Sequence, residues 1–510
     1  MFMEQMQDTI DRASNISVTE NGAIGYKTSG KALVDFNFAV SSMRKETEMK
    51  VLSSFKKVFE ENPEVALRYI FFLRDVRGGL GERRTFRICF KWILDNYYAQ
   101  VKHLLKLIPE FGRWDDLWYI MDENKKAEKE VAKIISEQLD SDMKNAVDGK
   151  SISLLAKWLP SVKTRNKFKQ SVLNKILSMT GMERKEYSKK LSFLRAYLQI
   201  VERKMSKNEW EEIDYEKVPS RANLIYNSAF LRHDESRRRN FLAAVNCGEK
   251  KINSSVVYPY EIVCRYGSNP LKTRDDLEAM WKSLPDTEGD GSTLVVCDGS
   301  GSMYCTRVDG FAHCSDVANS LAVYFSEHAS GEFKDKYITF STRPKLVDLS
   351  ECDSLAGKLR VIYKQNEVAN TNIEAVFDLI LRTAIEYNMS QKDMPKNILV
   401  LSDMEFDSCT QSNRGRLSSA LFDTISERYA EYGYKLPRLV FWNIFSRTNT
   451  IPVKENEMGV ALVSGFSTNS MKMVLSGKLD PYEVILEAIY NKRYDCISMK
   501  PKRVRAKKIK

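Results

Sequence analysis

The sequence predicts two architectures, a helical N-terminal domain followed by an α/β domain whose sheet is doubly wound and mostly parallel. Two observations support this prediction. From about residue 47 to about residue 280, apolar residues recur at three- and four-residue steps, which is the period of amphipathic helices. After about residue 285, short β-rich runs alternate with helical stretches, which is typical of a parallel sheet covered by helices.

The composition is that of a folded chain with sizeable cores. Its 510 residues are 43% hydrophobic and 29% charged, which excludes disorder throughout. The apolar runs fall short of the roughly 18 residues that a membrane span needs, so we expect no membrane partner. Nine cysteines lack C-x-x-C spacing and four histidines form no zinc motif. We therefore expect reduced thiols, a cytoplasmic location and no zinc centre.

Helix breakers divide the first half of the chain into short amphipathic segments. These breakers are Asn62-Pro63, Gly78-Gly79, Pro109, Gly112, Pro160 and Pro219. Repeated helices with short links predict an α-solenoid of stacked helix pairs over residues 1–285. No fixed-period repeat is visible, so any repeats are degenerate. Whether the helices close into a ring stays open.

A polar, glycine-bearing linker over residues 286–292 separates this region from the predicted sheet domain, residues 286–492. The predicted strands are Thr293–Cys297, Lys336–Ser341, Asn397–Leu401, Arg438–Ile444 and Gly459–Val463. The predicted helices are Val317–His328, Ile373–Tyr387, Leu417–Tyr432 and Pro481–Ile489. Sheets of this kind bind ligands beyond the carboxyl ends of their strands.

The chain ends in a basic tail, which we place at residues 493–510. Residues 500–510 hold seven Lys or Arg and no acid, out of a net charge of +11 for the whole chain. Such a segment is too polar to pack, so we expect a mobile arm. Two interpretations stay open: a solubilising tail, or an arm that binds phosphate groups without sequence preference.

A turn with three oxygen-bearing side chains directly follows the first predicted strand. It is Asp298-Gly-Ser300-Gly-Ser302, and its glycines let the backbone bend so that the three side chains face one side. Thr371 precedes a predicted helix and Asp403 ends another predicted strand, so both are expected at the same edge of the sheet. Oxygen ligands suit Mg²⁺, or another divalent cation such as Mn²⁺. In the alternative interpretation Asp298 only caps a helix.

This order, D-x-S-x-S, then Thr371, then Asp403, resembles the metal-ion-dependent adhesion site of von Willebrand factor A domains. The resemblance implies that Ser300, Ser302 and Thr371 act as direct or near-direct ligands, while Asp298 and Asp403 hold charge and waters. It also implies an open position for a partner's acidic group. One departure is that Met404, Glu405, Phe406 and Asp407 follow Asp403. Two extra carboxylates would strengthen metal binding but repel an acidic ligand.

Two basic stretches in the helical half are candidate phosphate-binding sites. The first surrounds three glycines in Leu73–Arg87 and contributes Arg77, Arg83, Arg84 and Arg87. The second lies on a predicted loop and contributes Lys163, Arg165, Lys167 and Lys169. For the arginines, ion pairs with Asp75 and Glu82 are an equally good interpretation. For the loop, the alternative is an ordinary solvated surface.

The segments R-G-G-x-G-E-R-R, F-G-R-W-D-D-L and L-A-K-W-L-P resemble the TROVE module of the Ro autoantigen and its bacterial relatives. They are still more similar to a family that joins such a module to a von Willebrand A domain. The resemblance covers about residues 30 to 490. It implies a ring of HEAT-like helix pairs that binds the ends of misfolded or non-coding RNA, and small structured RNAs on its outer surface.

We therefore expect a monomeric, non-enzymatic RNA-binding protein of Ro type with a divalent-metal site in its A domain. The alternative is a metal-dependent interaction scaffold whose A domain docks a partner's acidic group. A further hypothesis is a metal-dependent hydrolase that uses the carboxylates of Asp298, Asp403, Glu405 and Asp407. The sequence offers it neither a clear nucleophile nor a general base.

Overall fold

A computed structural model describes residues 3, 5–7, 10, 14–252, 257–267, 273–285, 292–308, 310, 312–340, 343–365, 372–407, 421–452, 460–466, 470 and 480–501. The chain packs as two compact units. The sheet unit contains residues 1–61, 219–224 and 242–489, and the helical unit contains residues 62–218, 225–241 and 490–510. Among the described residues, no helix has both the length and the apolar character needed to cross a membrane.

The sheet unit contains a six-stranded mixed sheet of order β5-β4-β3-β6-β7-β8. Its strands are β3 (Thr293–Asp298), β4 (Lys336–Phe340), β5 (Lys345–Asp348), β6 (Asn397–Ser402), β7 (Arg438–Asn443) and β8 (Val460–Ser464). All neighbours are parallel except β4 and β5. The five predicted strands are confirmed within a residue or two at each end. The antiparallel edge strand β5 was not predicted.

Helices cover the sheet and bury its strands. Every residue of β3, β6 and β8 is buried, which explains their continuous apolar runs. The chain leaves β3 toward β4 on one side and returns to β6 on the other, so the order reverses between β3 and β6. This is the switch point at which doubly wound sheets bind ligands.

Twelve α-helices of the described chain have residues in the sheet unit. They are α1 (Ala32–Phe38), α2 (Glu48–Glu61), α12 (Ser220–His233), α13 (Glu235–Asn246), α14 (Pro259–Val263), α15 (Asp275–Lys282), α16 (Gly301–Cys305), α17 (Cys314–His328), α18 (Leu355–Gln365), α19 (Glu374–Glu386), α20 (Leu421–Glu431) and α21 (Pro481–Ile489). Helices α12 and α13 also have residues in the helical unit, and only the first five residues of α12 belong to the sheet unit. The linker 286–291 and the predicted start of α20 at Leu417 lie outside the described residues.

The described residues up to Glu61 belong to the sheet unit, whereas the predicted helical domain spans residues 1–285. The strands β1 (Ile16–Val18) and β2 (Ile24–Tyr26) form a hairpin, and Tyr26 exchanges two backbone hydrogen bonds of 2.8 Å with Ile451. The buried side chain of Asn37 donates to the carbonyl of Leu462, 2.9 Å away, on edge strand β8. This segment therefore covers an edge that would otherwise expose unpaired backbone groups.

The helical unit is built from short amphipathic helices, as the periodicity predicts. They are α3 (Pro63–Arg74), α4 (Arg84–Val101), α5 (Ile108–Phe111), α6 (Asp116–Glu123), α7 (Lys125–Val147), α8 (Leu155–Trp158), α9 (Lys167–Thr180), α10 (Arg184–Tyr197), α11 (Val201–Ser206) and parts of α12 and α13. The Asn62 side chain caps α3 by accepting two backbone N–H groups. A Cβ at Gly79 would lie 1.9 Å from the Phe72 carbonyl oxygen, so only glycine fits this turn.

The expected tail from residue 493 is packed at its start. Tyr494 is buried; its hydroxyl donates to Asp75 at 2.9 Å, and its ring stacks on Phe111. The guanidinium of Arg493 pairs with the same buried carboxylate of Asp75. Burial of an aromatic ring and a charge pair outweighs the polarity that suggested a free arm. Residues 502–510, which hold most of the basic run, lie outside the described residues.

Candidate metal centre and basic surface

Four of the five predicted metal-site residues lie at the edge where β3 and β6 end. Ser300 Oγ is 3.0 Å from Ser302 Oγ, and the Ser302 hydroxyl hydrogen-bonds Asp403. The Ser300 backbone N–H donates to Asp298 Oδ1 at 2.9 Å, which holds the turn closed. We call Asp298, Ser300, Ser302 and Asp403 the acidic site. Thr371 lies outside the described residues, so its predicted role is untested.

The two carboxylates of the acidic site are removed from water. Asp298 is 2% exposed and Asp403 is fully buried. Burial and the neighbouring Asp403 carboxylate raise the pKa of Asp298 to about 7. Burial also raises the pKa of Asp403, against the lowering effect of Arg447. Two buried acids at one point therefore need a compensating charge.

The donor set fits a hard divalent cation in its chemistry. It offers two carboxylates and two hydroxyls, which are the oxygen ligands that Mg²⁺ and Mn²⁺ prefer. Within the described residues Asp403 Oδ2 is buried and accepts no hydrogen bond, and its charged neighbour is Arg447 Nη1 at 3.3 Å. The described chain contains no cluster of three or more His, Cys, Asp or Glu that could hold a metal. A cation here would therefore depend on the serine hydroxyls as well as the acids.

Glu405 does not add a free carboxylate to the acidic site, contrary to the expectation from its position after Asp403. Its fully buried carboxylate accepts backbone N–H groups of Glu20, Arg447 and Thr448 at 2.8–2.9 Å. It also accepts the hydroxyls of Ser446 and Thr448. These donors satisfy its charge, so Glu405 ties the N-terminal hairpin to the loop after β7.

Two residues of this edge were not predicted, Ser402 and Arg447. The Ser402 hydroxyl donates to Asp298 Oδ2 at 2.6 Å. Arg447 Nη1 lies 3.3 Å from Asp403 Oδ2. Their signal in the sequence is positional: Ser402 ends β6, and Arg447 follows the end of β7, so both lie at the carboxyl edge of the parallel strands.

The predicted arginine cluster of the helical unit converges on a carboxylate that the sequence interpretation did not pair with it. Asp116 is fully buried and accepts from Arg74 at 2.7 Å, from Arg83 at 2.8 Å and from Arg87 at 2.8 Å. Asp115 also pairs with Arg83, at 2.6 Å. The two quoted motifs, R-G-G-x-G-E-R-R and F-G-R-W-D-D-L, therefore pack on each other.

The arginines of this ion-pair cluster act together on the pKa of Asp116. Burial alone would raise the pKa of Asp116, but the guanidinium groups of Arg74, Arg83 and Arg87 outweigh it and lower the pKa to about 2. The other two predicted arginines lie apart from Asp116. Arg77 donates to the Glu110 carbonyl at 2.7 Å, and Arg84 is exposed at the start of α4. RNA binding by these arginines stays a prediction, and much of their charge is already compensated.

The second predicted cluster has a different environment. Lys163, Arg165, Lys167 and Lys169 are all exposed on the loop before α9 and on its first turn. Within the described part of the chain none of the four forms an ion pair. The Tyr187 hydroxyl on α10 donates to the Pro160 carbonyl at 2.8 Å, which fixes the loop to that helix.

A groove of about 440 Å³ lies between this loop and α10. Val162, Arg184, Lys185, Ser188, Lys189 and Ser192 line it. Residues 161–192 hold nine Lys or Arg against two Glu, a net charge of +7. We call the seven exposed cations of this region the basic face. They are Lys163, Arg165, Lys167, Lys169, Arg184, Lys185 and Lys189.

An aromatic pair that the sequence interpretation missed adjoins the basic face. The rings of Tyr119 and Phe168 lie 4.9 Å apart, and Phe168 stands between Lys167 and Lys169. The Arg87 guanidinium covers the Tyr119 ring at 3.5 Å, yet Tyr119 is 38% exposed. By contrast, Trp114 and Trp118 are buried. Tyr119 belongs to no recognisable motif, so only the packing of α6 on α9 reveals that its ring lies beside Phe168.

Comparison with known proteins places the chain beside families without an assigned function. A family described as a domain of unknown function, DUF7788, matches residues 292–507, and another, DUF2828, matches residues 19–99 and 167–287. An uncharacterized protein of Acanthamoeba polyphaga mimivirus is 28% identical over 516 residues, covering 93% of this chain and 87% of that protein. The crystal structure of the Ro (RSR) protein of Deinococcus radiodurans aligns with 85% of this chain and 92% of its own, at 14% identity and a TM-score of 0.44. Likeness at this level supports no functional argument.

Proposed function

We propose that this protein binds RNA without cleaving it, and that the basic face of the helical unit holds the phosphate backbone. The observation that carries this proposal is a set of seven exposed cations within residues 163–189, three of which line one groove, with no carboxylate partner in the described structure for Lys163, Arg165, Lys167 and Lys169. Unpaired cations attract polyanions because binding releases condensed counterions. The arginines around Asp116 are a poorer candidate for phosphate binding because they already form ion pairs with Asp116.

The aromatic pair favours a single-stranded ligand. Bases of a single strand are free to stack on exposed rings, and Tyr119, which is 38% exposed and packs on the half-buried Phe168, offers such a ring. The bases of a duplex are already stacked and cannot reach them. The resemblance of the helical motifs to Ro-type proteins favours RNA over DNA. The same resemblance would make the helical unit a HEAT-like array and the sheet unit a von Willebrand A domain.

The test is fluorescence anisotropy of a labelled single-stranded RNA with the full chain. Lys163→Glu with Arg165→Glu should lower the affinity at least about tenfold and should reduce the salt dependence of binding, because two phosphate contacts are lost. The matched control is Lys56→Glu with Lys57→Glu. It changes the net charge equally at exposed positions of the sheet unit.

An equal loss in the control would mean that only net charge acts, and would contradict the proposal. A chelator should leave RNA binding unchanged, since the acidic site belongs to the other unit. The RNA should also keep its length during incubation with Mg²⁺ or Mn²⁺. Shortening of the RNA would overturn the non-enzymatic assignment.

A second candidate function has its own supporting observation. The buried Asp403 Oδ2 that accepts no hydrogen bond in the described structure supports a divalent cation at the acidic site. A cation held there would offer an open coordination position to an acidic group of a protein partner. Titration with Mn²⁺ tests it: the wild type should bind one ion, and Asp298→Asn should bind far more weakly. Equal binding by both would place the ion elsewhere.

A further inference from the structure

Arg447 brings a positive charge to the rim of the acidic site. Its Nη1 is 3.3 Å from Asp403 Oδ2 and donates to the Thr306 hydroxyl at 3.1 Å. Its Nε is 2.8 Å from a carboxylate oxygen of Glu20 on the N-terminal hairpin. Its own backbone N–H donates to Glu405 at 2.8 Å, which fixes the start of the side chain.

The other carboxylate of the site has no such partner. Asp298 accepts the Ser300 backbone N–H and the Ser402 hydroxyl, and forms no ion pair within the described chain. Arg447 is therefore the cation that the described structure supplies to this buried pair of acids. Its side chain is 25% exposed, so it has room to move toward solvent.

We infer that Arg447 is a resident counter-cation of the acidic site and competes with a divalent ion for Asp403. This rests on the metal site proposed above. A guanidinium beside Asp403 neutralises the carboxylate when no ion is bound, and repels an incoming divalent ion. Arg447 thus sets how much divalent cation is needed to fill the site. The Glu20 carboxylate gives the displaced guanidinium a partner within the same unit.

The alternative is that Arg447 only fastens the hairpin through Glu20 and Thr306. The two roles differ in their effect on metal affinity. A fastening residue would change stability and leave the affinity of a folded protein unchanged. If Arg447 competes with the metal ion, its removal should raise the metal affinity. Damage to the site would instead lower the metal affinity.

The experiment is Mn²⁺ titration of the full chain, with free Mn²⁺ measured by electron paramagnetic resonance. Arg447→Gln should bind Mn²⁺ at least about tenfold more tightly than the wild type, because one repelling charge near a ligand carboxylate is gone. Arg447→Lys keeps the charge and should remain within about threefold of the wild type. The matched control is Arg428→Gln, which removes an arginine paired with Glu374 and Asp378 elsewhere in the sheet unit.

The outcomes separate this inference from the metal site itself. Equal affinities for wild type and Arg447→Gln would overturn the inference and leave the metal site standing. Absence of binding in both would overturn both. If Arg447→Gln does not fold, a crystal structure of the wild type with Mn²⁺ decides: Arg447 should leave ion-pair distance of Asp403. An Arg447 that stays beside Asp403 with the ion bound would contradict the inference.

Discussion

Arg74 Nη2 lies 2.7 Å from Asp116 Oδ2, and both side chains are sealed from solvent. The two residues are 42 positions apart in the chain, so this pair joins the end of α3 to the start of α6. Arg83 and Arg87 add their charges to the same carboxylate from the adjoining turn and α4. Asp116 is therefore the electrostatic centre of the first four helices of the helical unit.

Replacing Asp116 by Asn should destabilise the protein by about 3 kcal/mol, because it leaves the buried Arg74 charge without its partner. Urea unfolding followed by circular dichroism measures the loss. The control is Asp115→Asn, whose carboxylate is part-exposed; it should change the unfolding free energy by less than about 1 kcal/mol. Similar losses in both variants would show that Asp116 is not the centre of the cluster.

Asp116 should also make the protein acid-sensitive. Its pKa is about 2 in the folded protein against 3.8 for the ordinary carboxyl. Because the pKa of Asp116 is lower in the folded than in the unfolded protein, the ionised carboxylate stabilises the fold at pH values above about 4. About 2 kcal/mol of unfolding free energy should therefore be lost as the pH falls from about 4 through about 2. The difference in unfolding free energy between wild type and Asp116→Asn, measured across this range, should shrink as pH falls. A difference that does not change with pH would contradict the assignment.

Tyr119→Ala should weaken binding of single-stranded RNA by about 1–3 kcal/mol if a base stacks on this ring. The salt dependence should not change, because no phosphate contact is lost. Tyr119→Phe keeps the ring and should bind like the wild type. Anisotropy with a duplex of the same sequence completes the test: an equal loss for the duplex would argue against stacking.

Tyr494→Phe should destabilise the helical unit by about 2 kcal/mol. The variant keeps the ring against Phe111 but removes the hydroxyl donor to the buried Asp75 carboxylate. Thermal unfolding measures the effect. Tyr490→Phe is the control, since Tyr490 is 50% exposed and its change should stay within about 0.5 kcal/mol. Equal melting temperatures for wild type and Tyr494→Phe would show that the hydroxyl contributes nothing.

Local pattern predicted much of the secondary structure. Strands β3, β4, β6, β7 and β8 were predicted nearly to the residue, because burial on both faces of a sheet leaves a continuous apolar run. The bounds of helix α21 were predicted from its helical pattern. Strand β5 was missed. It is a short edge strand with exposed residues, including Leu346 at 62% exposure, so its run carries little apolar signal.

The candidate sites were predicted unevenly for a similar reason. Asp298, Ser300 and Ser302 share one turn, and Asp403 follows a recognisable strand, so topology alone brings them together. Glu405 looked like an extra acid of that site, yet five donors from distant segments engage it. Lys163 to Lys169 were candidate cations by composition, whereas the adjoining Tyr119 comes from another helix and needed the packing to be seen.

The sequence by itself determined the two periodicities, the order of strands and helices, and the oxygen-rich turn after β3. Each of these features depends on residues that are close together along the chain. Tertiary structure alone decided which carboxylate each arginine meets, that Asn37 and the hairpin of β1 and β2 pack within the sheet unit, and that Arg493 pairs with Asp75, 418 positions away. A buried charge is stable only beside an opposite charge, and many acidic residues in the chain could be the partner of a buried arginine. Which one does is fixed by the packing of apolar faces, which brings segments together from any distance.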